Sequence, residues 1–384
     1  MRIVFTGGGS GGHFYPIIAV VKELRKMLEE EKFLDVELYY ISDDAYDMEM
    51  LEKNGLIFRK NITGKVRRYF SIQNITDIFK TGLALFRSFG LMYSLFPDVV
   101  FSKGGYPSFP VTTAARFFTI PVIIHESDAY PGRANKIASR YASKIAISYP
   151  GAAEYFPKDA NIAYTGNPVR EELMNPIREG SYEAFGLKEG VPTILILGGS
   201  QGAKIINDTL LIAAPKLIEQ YQIIHQVGKN NYDDYKAIID VALQESPYKD
   251  RYKIFGFLNT EQMQRAAGIA DLVVSRGGST IFEISIWGVP SIIIPIMDSN
   301  GDHQRKNAFS YARGGACEVI DETNLTPNLF VAEVDRIFND PETVAKMKTA
   351  AAKFARRDAA KKIAEEVMKI IHAHYNIKKN EIDI

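Results

Sequence analysis

The stretch Arg276-Gly277-Gly278-Ser279-Thr280-Ile281-Phe282-Glu283 decides how this chain is read. It follows Ala270-Asp271-Leu272-Val273-Val274-Ser275, an apolar run of the right length for a buried parallel strand. Two glycines let the chain turn sharply and bring backbone N–H groups close to whatever lies above the strand end. Ser279 or Thr280 is placed to cap a following helix, and Glu283 falls in its first turns. A helix N-terminus attracts anions, and a carboxylate one turn further in can accept hydrogen bonds from a sugar diol. The pattern suits a ligand that carries a diphosphate beside a ribose. A purely structural strand–turn–helix of a doubly wound fold reads the same way. A short strand over 291–296 then leads to Asp302-His303-Gln304 at the head of another helix.

The same arrangement recurs upstream. Thr193-Ile194-Leu195-Ile196-Leu197 is a strand, Gly198-Gly199-Ser200-Gln201-Gly202-Ala203 a glycine loop, and a helix starts near Ile205. The chain also opens this way: Ile3-Val4-Phe5, then Thr6-Gly7-Gly8-Gly9-Ser10-Gly11-Gly12-His13, then a helix from Pro16 to Met27. Between these lie Asp98–Phe101 with the loop Ser102-Lys103-Gly104-Gly105-Tyr106, and residues 121–124 with His125-Glu126-Ser127-Asp128. A last strand near 161–165 ends in Gly166-Asn167-Pro168-Val169-Arg170. Polar residues bunched at strand C-termini mark the ligand side of open α/β sheets. The expected fold class is α/β, with two doubly wound, Rossmann-like domains joined by a polar linker between Pro176 and Pro192.

With 384 residues the chain has room for two domains. Lys+Arg and Asp+Glu are 46 each, so bulk charge points to no nucleic acid and any basic patch is local. The one cysteine, Cys317, excludes an internal disulfide framework and a Cys-rich metal site. No secretory signal is visible, and no run of 18 apolar residues would span a membrane.

Residues 62–96 stand apart. Lys65, Arg67 and Arg68 precede Tyr69-Phe70, and an apolar helix follows. Basic residues beside aromatic and aliphatic ones suit an interfacial contact with anionic lipid, here centred on the loop Lys65 to Phe70. Most of the helix itself is expected to be core. His13, at a helix start where a ligand phosphate or hydroxyl would lie, is the candidate general base. Gly7, Gly9 and Gly12 also satisfy G-x-G-x-x-G, with Asp43 at the end of the next strand, so a nicotinamide dinucleotide site is an alternative. Asp43-Asp44 and Asp233-Asp234 are adjacent pairs and not an Asp-x-Asp cation motif.

These motifs, in this order over residues 1–340, resemble the MurG family of GT-B glycosyltransferases, family 28. That family transfers GlcNAc from UDP-GlcNAc to lipid I, making lipid II for peptidoglycan. The resemblance implies an inverting hexosyltransferase that needs no metal or other cofactor. Its partners would be UDP-GlcNAc, the lipid I acceptor and an anionic membrane surface, with no nucleic acid. It would lie peripherally on the cytoplasmic face of the bacterial cell membrane. Residues 1–172 would bind acceptor and membrane, with a helix from about 355 to 384 packing back on them. Residues 190–350 would bind the UDP-sugar.

Carried over residue by residue, Glu283 would take the ribose hydroxyls, and Gly278, Ser279 and Thr280 would line the diphosphate and ribose. Ser200 and Gln201 lie in the phosphate loop. Leu258 would give its backbone N–H and C=O to the uracil, and Gln304, with His303, would read the sugar. Ser10, Gly11, Gly12 and Arg170 would close over the donor. Gly8, Gly9, Gly104, Gly105 and Tyr106 would form the acceptor-side phosphate loops. The chain departs from the family in one place. His-Glu-Gln-Asn is usual where His125-Glu126-Ser127-Asp128 stands, and the Asn position faces the donor sugar. An ionised Asp128 can accept from sugar hydroxyls but cannot donate to an acetyl oxygen. A related transferase using another UDP-hexose, or a UDP-GlcNAc 2-epimerase of the same fold, are the competing expectations.

Overall fold

Ile3, Val4 and Phe5 are fully buried, and so are Ile194 and Leu195 and Ile196. Apolar on both faces, each run can only be a central strand covered by helices on two sides. The computed structural model describes the chain except Gly9, Leu34 and residues 65–72, 200–201, 298–300 and 383–384; for 73–75 and 376–382 it describes the backbone alone. Two compact units result. One comprises Met1–Arg170 with Arg356–Ile384, the other Glu171–Ala355.

The first unit holds a parallel sheet of β1 (Arg2–Thr6), β2 (Glu37–Ser42), β3 (Leu56–Lys60), β4 (Val99–Ser102), β5 (Val122–Glu126), β6 (Lys144–Ile147) and β7 (Ile162–Tyr164). Their order is β3-β2-β1-β4-β5-β6-β7. The second unit holds β8 (Thr193–Leu197), β9 (Gln222–Gln226), β10 (Tyr252–Phe255), β11 (Leu272–Ser275), β12 (Ser291–Ile293) and β13 (Cys317–Val319), in the order β10-β9-β8-β11-β12-β13. Strand order reverses between β1 and β4 and again between β8 and β11. At such a switch point the following helices leave to opposite faces, and a crevice opens beyond the strand ends.

Three expectations are revised. The helix after β1 starts at Gly11, inside the glycine loop, and runs to Glu30. His13 therefore lies in its first turn. The stretch between Pro176 and Pro192 is not a free linker. It contains a helix, Ser181–Phe185, whose Tyr182 and Phe185 belong to the second unit's core. Its approach is fixed by Ile177 N–H donating to the Gln264 carbonyl at 3.0 Å. The third revision concerns the helix Gln73–Leu95, expected to be mostly core. Among its described side chains only a stripe at helical spacing, Ala84, Ser88 and Met92, is fully buried, while Phe79 and Phe86 are 74% and 77% exposed.

The helix Ala359–Ile382 returns to the first unit. Its Ile363, Val367 and Ile371 pack in one cluster with Ile3, Ile17 and Leu24. Lys144 and Glu366 pair at the edge of that contact.

Candidate functional site

In the first unit the glycine loops after β1 and β4 flank the switch point, as the motifs require. They lie so close that side chains are excluded. A Cβ on Gly7 would meet Lys103 Cβ at 3.0 Å, and one on Gly8 would meet Ser42 Oγ at 2.7 Å. Gly104 has φ +84 and packs on Asn135, whose Nδ2 would lie 2.8 Å from any Cβ there. Gly105 also has a positive φ and faces the Gly8 carbonyl. Ser10 is the N-cap of the helix Gly11–Glu30 by its carbonyl, not its side chain; its Oγ instead lies 3.1 Å from His13 Nδ1. Arg170 stacks its guanidinium on Tyr15 at 4.2 Å. Gly9 and the proposed lipid-contact loop Lys65, Arg67, Arg68, Tyr69 and Phe70 lie outside the described residues, as do Ser200 and Gln201.

Asp43 is committed elsewhere. The Tyr106 hydroxyl donates to its Oδ2, and Ser42 Oγ donates to its Oδ1 at 3.2 Å. The carboxylate that a dinucleotide reading needs for a ribose is thus tied to the second glycine loop. Among the described residues no group of three His, Cys, Asp or Glu side chains is gathered as a metal site would need.

Beyond β5 the chain builds a buried polar knot. Glu126 accepts from Asp128 N–H at 2.9 Å, Gly132 N–H at 3.0 Å and Asn135 Nδ2 at 2.9 Å. His125 Nε2 lies 2.9 Å from the Gly166 carbonyl and ties β5 to the Gly166–Arg170 loop. Burial first, and the nearby Lys103 charge next, hold this imidazole well below its ordinary pKa, so it is neutral. Lys103 is 1% exposed, and among the described residues its Nζ has no hydrogen-bond partner. Burial lowers its ammonium to about 8, against the pull of Glu126 and Asp128. The sequence assigned no role to Lys103, Glu126 or Asn135. A lysine ending an apolar strand just before two glycines was the available signal.

In the second unit the opening stretch forms the turn its glycines predict. A side chain on Gly277 would collide with the Gln304 carbonyl, and Asn307 Nδ2 donates to the Gly277 carbonyl at 3.1 Å. Gly278 is different: among the described residues, its chain neighbours aside, no atom lies within 4 Å of a Cβ there. The helix Thr280–Trp287 follows, with Ser279 at its N-cap in helical conformation and no side-chain cap bond. The expected capping hydroxyl is therefore absent, and Ser279 Oγ has no role in holding the helix start. Glu283 lies in the first turn of that helix and is half-buried. Arg276 anchors the turn from below, donating to the Ile294 carbonyl at 3.1 Å and pairing with Glu322 at 2.7 Å.

His303 and Gln304 open the helix His303–Ala312 after β12. Gln304 Oε1 accepts from Ile296 N–H at 3.2 Å, so it also shapes the preceding loop. Leu258, after β10, is buried, and its N–H donates to Gln226 Oε1 at 2.9 Å. That donor was assigned to a base by the resemblance; here Gln226 takes it, and Gln226 Nε2 bonds the Gly199 carbonyl at 3.2 Å. One side chain thereby links the base-side and phosphate-side loops.

Comparison with known proteins places this geometry. Residues 3–147 match the model of the glycosyltransferase family 28 N-terminal domain, and residues 193–363 that of its C-terminal domain. A Bacillus cereus protein named UDP-N-acetylglucosamine--N-acetylmuramyl-(pentapeptide) pyrophosphoryl-undecaprenol N-acetylglucosamine transferase 2 is 37% identical over 369 residues, covering 95% of this chain and 99% of its own. A transferase of the same name, without the number, from Halothermothrix orenii is 35% identical over 353 residues, 90% of this chain and 93% of its own. In fold, the crystal structure of MurG from Acinetobacter baumannii superposes with a TM-score of 0.73 at 24% identity over 96% of this chain and 99% of its own. A UDP-GlcNAc 2-epimerase from Neisseria meningitidis bound to UDP-GlcNAc gives 0.68 at 16% identity, over 96% and 100%. The two parallel sheets of this chain, each flanked by helices, are the Rossmann-like domains of a GT-B fold.

The knot beyond β5 sets a pH dependence. Burial, and then the Asp128 charge, push the Glu126 carboxyl up to about 7 against its three N–H donors. A carboxyl raised on folding holds its proton more tightly in the folded chain, so its contribution falls as pH rises from about 5 to 7. Glu126→Gln is expected to remove that fall. Thermal midpoints of both proteins at pH 5, 6 and 7 check it; parallel curves would contradict it.

Proposed function

The chain belongs to glycosyltransferase family 28, and from that premise we infer that it moves GlcNAc from UDP-GlcNAc to the 4-hydroxyl of MurNAc in lipid I, giving lipid II for peptidoglycan. The observation that carries this reading is the alignment of transferases bearing that activity in their names over 95% of this chain. The epimerase likeness is one of fold alone, at 16% identity.

The reaction is an inverting displacement. The acceptor O4 bonds to the anomeric carbon as the bond from that carbon to the UDP oxygen breaks. The hydroxyl proton passes to a base, and the electron pair leaves with UDP. His13 is the base assigned here, presented in the first turn of its helix with Nδ1 beside Ser10 Oγ. The leaving diphosphate is assigned to the N-terminus of the helix Thr280–Trp287 and to Gly278, with Glu283 taking the ribose hydroxyls. Leu258 offers its carbonyl to the base, and Arg170 supplies positive charge.

A lipid-borne acceptor calls for a membrane contact. Among the described residues no helix is long and apolar enough to cross a membrane. The first unit instead exposes Phe79, Phe86, Tyr93, Phe96 and Phe117 with Lys80, Arg87 and Arg116 among them. An apolar surface rimmed by cations suits the interface of an anionic bilayer, and we assign peripheral binding at the cytoplasmic face to it.

The direct test is incubation of the purified chain with lipid I and either UDP-GlcNAc or UDP-glucose. Lipid II formed from UDP-GlcNAc alone is expected; transfer from UDP-glucose, or conversion of UDP-GlcNAc without acceptor, would replace the reading. Glu283→Ala is expected to weaken UDP binding about tenfold or more, as loss of charge-assisted hydrogen bonds does; calorimetry reads it, and unchanged affinity removes Glu283 from the ribose. His13→Ala should lower kcat by about 10²–10⁴ while UDP affinity holds. Full turnover would end its candidacy. Phe79→Glu with Phe86→Glu should release the chain from anionic vesicles in a flotation assay, and equal flotation would return that face to an ordinary surface.

A further inference from the structure

Carbonyl oxygens only accept hydrogen bonds, and that fixes the protons along a row of side chains buried in the second unit. Asn207 faces the Val227 carbonyl at 3.0 Å, so its Nδ2 is turned there and its Oδ1 is left to accept. His225 Nε2 lies 3.1 Å from that Oδ1 and must carry a hydrogen. The ring is fully buried, and burial lowers its pKa to about 3, so the imidazole is neutral and Nδ1 carries no hydrogen. The Tyr252 hydroxyl, 2.7 Å from Nδ1, must then donate. The bonds run one way, from Tyr252 to His225, from His225 to Asn207, and from Asn207 to the backbone.

Three polar side chains are a costly filling where Leu and Ile would pack. This row ends where the phosphate-side loop closes. A Cβ on Gly202 would meet the Val227 carbonyl oxygen at 2.0 Å, so that oxygen is the stop on which the loop rests. Asn231 Nδ2 donates to the same oxygen at 2.9 Å. Asn207 itself stands near the start of the helix Lys204–Leu217, whose N-cap is Ala203, a residue with no capping side chain. From the opposite face of β9, Gln226 Nε2 holds the Gly199 carbonyl, which also accepts from Gly202 N–H at 3.1 Å. Consecutive residues of β9 thus hold Gly199 and Gly202, which have φ of +82 and +80.

We propose that His225 is a positioning residue for the donor's diphosphate: through Asn207 it sets the Val227 carbonyl, and with it the placement of Gly202 and of the helix start that receives the phosphates. The proposal rests on the reading of the second unit as the one that binds UDP. His225 touches no ligand in it. The Leu258 carbonyl assigned to the base is not part of this row, so the effect falls on the phosphates and spares the uracil.

The test compares UDP with uridine, which lacks the phosphates, on the full chain and its variants. His225→Leu is expected to raise Kd for UDP about tenfold in calorimetry, while Kd for uridine, read by ligand-observed NMR, stays within about twofold. His225→Gln keeps an N–H near the place of Nε2 and should bind UDP within about threefold of the unaltered chain. Asn207→Leu should match His225→Leu, and the double variant should bind no more weakly than either single one, because both act on one contact. A histidine that only fills the core predicts a lowered thermal midpoint with both affinities unchanged, or both weakened alike; either result overturns the proposal. Should His225→Leu fail to fold, Tyr252→Phe carries the same comparison, with UDP weakened about threefold and uridine unmoved. NMR of the imidazole nitrogens in the unaltered chain should place the His225 hydrogen on Nε2, and a hydrogen on Nδ1 would overturn the proposal directly. An unaltered chain that binds no UDP fails the functional reading itself and takes this inference with it, whereas firm UDP binding unmoved by His225→Leu overturns the inference alone.

Discussion

Backbone approaching backbone more closely than any side chain allows is the constraint on which both ligand crevices depend. Gly277 lies against the Gln304 carbonyl, Gly202 against the Val227 carbonyl, and Gly7 against Lys103. Each contact brings together loops that leave neighbouring parallel strands at a switch point. Their backbone N–H groups and helix N-termini then face the same space. At Gly278 and Gly199 no described residue beyond the chain neighbours meets a Cβ, and Gly199 is glycine by its φ of +82.

The fold was legible because apolar runs of strand length alternate with glycine loops and helices, twice over. Period and punctuation are local signals, and they placed most strands of both sheets but not β3, β6 or β13. The support beneath the loops was not legible. Glu126, Asn135 and Gln226 act through hydrogen bonds to backbone groups up to 32 residues away in sequence, and nothing in local spacing announces such partners. Leu258 shows the consequence: its N–H looked available to a ligand until the Gln226 side chain was seen to hold it.

The helix Gln73–Leu95 misled for a related reason. Its apolar residues, aromatic and aliphatic together, fall on nearly every face, and a helix apolar all round reads as core. The fully buried stripe is Ala84, Ser88 and Met92, with Asn61 Nδ2 donating to Ser88 Oγ at 2.8 Å and to the Ala84 carbonyl, and Phe89, Leu91 and Leu95 pack partly against the same core. The rings of Phe79, Phe86 and Tyr93 were left exposed. Composition cannot tell a helix that buries its aromatic face in protein from one that keeps it for another phase.

Charge in this chain follows the same division between bulk and place. Forty-six cations balance forty-six anions over the whole sequence, so no long-range field steers a ligand of either sign. What the chain has instead are charges set at chosen depths. Lys80, Arg87 and Arg116 sit at the surface among exposed rings, where water and counter-ions screen them and an anionic bilayer can replace that screening. Lys103, Glu126 and His125 are sealed beneath the glycine loops, where little screening reaches and burial first, neighbouring charges second, shift each ionisation. A substitution at the surface group changes how often the chain meets its membrane; one in the buried group changes which protons the site holds. The two act on different steps, which is why a neutral sum is compatible with a strongly charged function.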